Sequence, residues 1–188
     1  SLSVLNAVNI VLQLITLPYI LSIVGKANYG IYSYVFMVVQ YIILFSTYGF
    51  NFSATKKISL LRDDNAAVTS IYNAVIGCKM LIAILLVVAV VLCSGWVFEE
   101  EIGFVMFLLG IGMIVGDILN PVWLFQGMEK MKFMTLVNSS SKIIFTVLVF
   151  FVVSSVDDFY LLILLNSCGY LLAGILSVFL AYKQFNVR

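Results

Sequence analysis

The sequence predicts an all-α polytopic membrane protein, with six transmembrane helices forming one bundle and no soluble domain. Three observations carry that prediction. Apolar residues make up 63% of the 188 and charged residues only 10%, where a soluble domain carries about a quarter charged. Mean hydropathy is +1.16. Six apolar runs alternate with short polar breaks, near residues 2–24, 29–55, 69–93, 102–126, 134–153 and 159–182. Each is long enough to cross a hydrocarbon core of about 30 Å as a helix.

Helix one carries Asn6, Asn9, Gln13 and Thr16, a spacing that keeps all four on one face. Amides facing lipid would go unsatisfied, so this stripe either glues helices together or walls a hydrated cavity. Pro18 is expected to interrupt the helix near its outer end. Helix two repeats tyrosine at Tyr34, Tyr41 and Tyr48, one heptad apart, beside Gln40, Thr47 and Asn51. That spacing favours packing over stacking on a sugar.

Helices three, four and five each hold an ionisable residue inside an apolar run: Lys79, Asp117 and Lys142. All three lie roughly eight to ten residues, or about 12–15 Å, from the same membrane face. A charge at this depth is costly unless paired or hydrated, so it marks an ion pair or a site. Asp117 is placed to neutralise Lys79 or Lys142, which leaves one lysine over and a local sum of +1. Lys142 either faces a cavity or snorkels to the interface. Asn120, Asn138 and Ser141 extend a polar face around these charges. Lys79, Asp117, Lys142, Asn6, Gln13 and Asn138 are therefore the candidate cavity residues. Gly112 and Gly116 on helix four, and the stripe Asn166, Gly169, Tyr170, Ala173, Gly174 and Ser177 on helix six, read as close-packing surfaces.

Basic residues set the expected orientation. The second and fourth breaks and the tail hold Lys56, Lys57, Arg62, Lys130, Lys132, Lys183 and Arg188, against Lys26 alone in the first break. Both ends of the chain are thus expected in the cytoplasm, with Glu99–Glu101 and Asp157-Asp158 outside. No cleavable signal peptide is expected, because the first apolar run lacks a basic leader and is too long.

The chemistry of common enzymes is missing. There is no histidine, and no nucleophile elbow, phosphate loop or metal-spaced Cys/His set is present. The acidic pairs in the loops read as solvated charge, so no enzyme, cofactor or metal site is expected. Cys78, Cys93 and Cys168 read as small buried packing residues. A net charge of +1 gives no basic field for nucleic acid.

The stretch Gly116–Lys132 reads as a helix leaving the bilayer, with aromatics at headgroup level and Gly127 making the turn. Within it, Pro121-Val122-Trp123-Leu124-Phe125-Gln126-Gly127-Met128-Glu129-Lys130-Met131 resembles a passage of the bacterial O-antigen and polysaccharide flippases. Asn138, Ser141–Phe145, Leu17–Leu21 and the turn Gly25–Gly30 continue the resemblance. The family belongs to the multidrug/oligosaccharidyl-lipid/polysaccharide exporters. The resemblance implies two similar bundles around a central cavity, working by alternating access, of which this chain is the N-terminal lobe. It implies an undecaprenyl-pyrophosphate-linked oligosaccharide as cargo, carried across the bacterial inner membrane. Implied partners are membrane lipids, a second six-helix lobe and polysaccharide polymerase machinery. Two alternatives stand beside it. A cation-coupled multidrug exporter of the same superfamily would favour buried acids over lysines, and an integral-membrane glycosyltransferase would need an acid or His constellation at the membrane face.

Overall fold

A computed structural model describes residues 2–185, with side chains from Leu14 onward. The described residues form helices and no strand: α1 (Leu2–Thr47), α2 (Phe50–Leu60), α3 (Asn65–Leu92), α4 (Ser94–Val97), α5 (Glu101–Ile118), α6 (Val122–Gly127), α7 (Met131–Val152), a 3-10 turn (Val156–Asp158) and α8 (Phe159–Phe185). Five helical runs are long and apolar enough to cross a membrane. The first of them holds two crossings. At 46 residues α1 is about 70 Å long, twice the hydrocarbon thickness. Gly25, at φ 79° and ψ 165°, breaks it into limbs 2–24 and 26–47. Six membrane segments result.

Several local expectations are corrected. Residues 26–30 are helical, so the first break is a kink at Gly25 and contains no loop. The helix runs through Pro18. Helix two ends at Thr47, and Gly49 (φ 77°) separates it from the short α2. The fourth apolar run is split between α5 and α6, because Pro121 has no N–H to continue the ladder. Asp64 starts α3 early: its carboxylate accepts from the backbone N–H groups of Ala66 and Ala67 at 3.1 and 3.0 Å. Asp158 likewise accepts from the N–H groups of Ser154 and Ser155.

The stretch 116–132 also departs from the expected exit. Trp123, Leu124 and Phe125 are fully buried. They centre a cluster with Ile58, Val68, Met134 and Phe185, because α6 packs onto α2. Gly127 lies against Ile58, where a Cβ would come within 2.7 Å of its side chain. The left-handed turn residue is Glu129, at φ 56°. The three cysteines are exposed. In a membrane bundle the outward face is apolar, so small apolar residues need not be interior.

The most extensive contact joins α5 to α8. A Cβ on Gly116 would lie 2.3 Å from the carbonyl carbon of Tyr170, and one on Gly174 would lie 2.6 Å from the carbonyl oxygen of Gly116. The two backbones therefore touch, and the small-residue reading of both stripes holds at their crossing. Around it, Val39, Met106, Phe107, Met113 and Ile163 form one apolar core. Ile20, Val24, Val149, Val153 and Leu162 form another between the first limb of α1, α7 and α8.

The loops segregate by charge. Arg62 pairs with Glu129 at 2.9 Å, and Lys130 lies 5.1 Å over the Phe185 ring, so the basic breaks and the end of α8 share one end. At the other end Tyr34 donates to the Val97 carbonyl at 2.8 Å, and Asn28 donates to that of Val156.

Candidate functional site: a polar cavity within the bundle

Limbs one and two of α1, the α5–α6 elbow, α7 and α8 line a half-open cavity of about 660 Å³. Residues beside the α5–α8 crossing, among them Asp117, Asn120, Tyr170 and Ala173, line it. From there Asn120 reaches α7, donating to Asn138 Oδ1 at 3.2 Å, while the Ser177 hydroxyl of α8 lies 3.0 Å from Asn120 Oδ1. The wall carries one carboxylate, Asp117, one ammonium, Lys142, and the amides of Asn120, Asn138 and Asn166. Leu17, Ile20, Phe36 and Phe145 supply apolar surface beside them. Such a surface can hold a ligand that is polar on one side and apolar on the other.

Two of the three deep charges meet. Lys79 Nζ donates to Asp117 Oδ2 at 2.8 Å and to the Asp117 carbonyl at 3.3 Å. The Lys79 side chain is only 3% exposed, whereas that of Asp117 is 27% exposed. A buried ammonium with no partner would be strongly unfavourable, so the pair neutralises both helices. Lys142 has no ion-pair or hydrogen-bond partner among the described residues, and it lines the cavity. One surplus cation thus remains.

Of the six candidate residues, Asp117, Asn138 and Lys142 come together on the cavity wall. Lys79 stands behind Asp117 and is not among the lining residues. Asn6 and Gln13 lie outside the residues whose side chains are described. Thr16, from the same stripe, lines the cavity. Tyr34, Tyr41 and Tyr48 are exposed on the outside of the bundle. The tyrosines that do line the cavity are Tyr29, Tyr32 and Tyr170; sequence reasoning placed none of them there and read Tyr170 as part of a close-packing stripe. Tyr32 accepts a hydrogen bond from Asn166 at 2.8 Å, and Tyr170 accepts one from Gln40 at 3.2 Å. These polar pairs across helices are the signal that marks the inner face.

The whole chain, residues 1–188, matches the profile of a family described as polysaccharide biosynthesis protein. The chain belongs to that family. Among its curated relatives are two that carry the name "Putative O-antigen transporter". One, from Escherichia coli (strain K12), is 33% identical over 94% of this chain and 43% of its own length. The other, from Shigella dysenteriae, is 26% identical over 97% of this chain and 46% of its own length. The chain therefore spans less than half the length of these relatives. No solved structure matches it at a significant level. Family membership and the apolar helices together make this a multi-pass membrane protein of a polysaccharide-biosynthesis family.

Proposed function

We propose that this chain is the N-terminal lobe of a flippase that moves an undecaprenyl-pyrophosphate-linked oligosaccharide across the bacterial inner membrane by alternating access. The observation that carries the reading is the cavity of about 660 Å³ inside an apolar bundle, walled by amides, tyrosines and Lys142, which has no ion-pair partner among the described residues. A sugar chain crosses hydrocarbon only if its hydroxyls stay hydrogen-bonded on the way, and this wall offers donors and acceptors. The surplus ammonium suits a pyrophosphate or an acidic sugar. The apolar surface beside it suits the first isoprenoid units, while the rest of the tail stays in the bilayer.

A second six-helix lobe would complete the central passage, consistent with relatives more than twice as long. The basic end faces the cytoplasm under the positive-inside rule. The solid cluster of Ile20, Val149, Val153 and Leu162, on the side of the acidic loops, supports a lobe closed toward the periplasm. The cation-coupled drug exporter is less favoured, because the cavity's carboxylate is already neutralised by Lys79.

The test is complementation of a flippase-deficient bacterium, scored by surface polysaccharide. The native reading frame containing this chain is expected to restore it, and Lys142→Gln at equal abundance is expected to lose it. Absent polysaccharide across several glycan backgrounds, with the protein present in the membrane, would refute the proposal. Drug resistance in the same strains would then favour the exporter.

A further inference from the structure

We infer that Lys79 is a positioning residue. It meets no cargo and acts by holding Asp117 as an oriented carboxylate in the cavity wall, where Asp117 accepts hydrogen bonds from the hydroxyls of the sugar portion. The inference rests on the export reading and assigns a division of labour within its site.

The burial of the pair is one-sided. Side-chain exposure is 3% for Lys79 and 27% for Asp117, and only Asp117 lines the cavity. A cargo inside the cavity reaches the acid and not the base. The grip is also two-pointed: Lys79 Nζ takes Oδ2 at 2.8 Å and the backbone carbonyl of the same residue at 3.3 Å. Contact with both the side chain and the main chain of Asp117 fixes its rotamer as well as its charge.

The second contact has a local cause. Pro121 ends α5, so the carbonyls of its last turn lack the usual N–H donors. The Asp117 carbonyl takes the Asn120 N–H at 3.1 Å and the lysine from α3. With Oδ2 occupied, Oδ1 has no partner among the described residues. An ionised carboxylate only accepts, and its natural complement is a hydroxyl donor, which a sugar supplies in quantity. Bonds of this charge-assisted kind are stronger than neutral ones. The other titratable groups on the cavity wall are Lys142 from α7, Tyr29 and Tyr32 from α1, and Tyr170 from α8. None of them is paired with Asp117, so Lys79 alone supplies its countercharge.

Export by the native reading frame, normalised to protein in the membrane, tests the assignment by double-mutant cycle. Lys79→Met and Asp117→Asn are each expected to lower export about tenfold, with the double variant no worse than Asp117→Asn. Independent contact of Lys79 with cargo would instead multiply the losses to about a hundredfold, and would overturn the inference. The exchange Lys79→Asp with Asp117→Lys rebuilds the pair but puts the ammonium at the wall. It is expected to restore abundance and not export; recovery of export would make the pair a clasp and nothing more.

Placement is checked without reference to transport, in a background with Cys78, Cys93 and Cys168 changed to Ser. A thiol at Asp117→Cys is expected to react with a small charged methanethiosulfonate, and one at Lys79→Cys is not. Equal reactivity at both positions overturns the inference, whatever the chain exports. Reaction at position 117 alone, in a parent that fails to export, would sink the export reading and leave the wall geometry intact.

Discussion

Gly116→Ala is the most severe small substitution the fold offers, and the structure sets its size. The added Cβ would sit 2.3 Å from the carbonyl carbon and 2.4 Å from the oxygen of Tyr170, and 2.7 Å from the nitrogen of Leu171. All three are backbone atoms of α8, so no rotamer change relieves the clash. Ordinary contact between carbon atoms is about 3.5–4.0 Å, so α5 and α8 must part by more than about 1 Å. A gap of that size forfeits about a quarter to a half of each contact along the interface. The overpacking cost of such insertions is about 1–3 kcal/mol, and the loosened interface puts this case near the upper figure. At about 2–4 °C per kcal/mol for a chain of this size, melting in detergent should fall by about 6–12 °C. Gly77→Ala is the matched control, since nothing lies within 4 Å of its Cβ and alanine is the better helix former. It should melt at or above the parent temperature. Gly112→Ala, which meets only side chains at 3.0 and 3.1 Å, should fall between. Equal melting of the Gly116 and Gly77 variants would refute the claim that these backbones touch.

Gly25→Ala meets no atom within 4 Å, so its cost is conformational alone. A side chain at φ 79°, ψ 165° should cost about 1–3 kcal/mol, and melting equal to that of Gly30→Ala would contradict it. Tyr19→Phe removes a hydroxyl shared between the carbonyls of Phe150 and Val153, both at 3.2 Å. It should destabilise by about 0.5–1.5 kcal/mol, read by the same melting assay. The hydrogen bond and charge of Arg62 hold the Glu129 carboxyl below its ordinary value of 4.5. A carboxyl lowered on folding stabilises above its unfolded value, and that contribution is lost as pH falls through the lower folded value. Both partners are exposed, so the gain is small. Parent and Glu129→Gln should therefore differ slightly at neutral pH and converge on acidification. A gap that persists in acid would show that the glutamate acts by some other means.

The architecture was readable because bilayer physics leaves few options: long apolar runs become helices, and a deep charge must find a partner. Asp117 was accordingly expected to meet a lysine. Which lysine it meets depends on how α3 and α7 are rotated about their axes, and a single sequence carries no such angle. The same gap hid which tyrosines face the cavity. A heptad count singled out Tyr34, Tyr41 and Tyr48, whereas packing against α5 and α8 turns Tyr29 and Tyr32 inward. Trp123 misled for a different reason. Aromatics near a helix end are usual at headgroup level, but α6 leaves α5 at the proline and folds under α2, which makes the tryptophan core. The cysteines were misread through the habits of soluble proteins, whose small apolar residues go inside.

The break at Gly25 joins two arms of nearly equal length at the middle of α1. Thr16, Leu17 and Ile20 on one arm and Tyr29, Tyr32 and Phe36 on the other all border the cavity. A change in the two backbone torsions of Gly25 would move the arms relative to one another, and a Cβ there would meet nothing within 4 Å. Thr16 stands nine residues from that joint, about 13–14 Å along the helix. A swing of about 10° would therefore carry it about 2 Å, close to the width of a hydroxyl group. The apolar cluster around Val24 and Val153 lies beside the break, where such a rotation would displace atoms least.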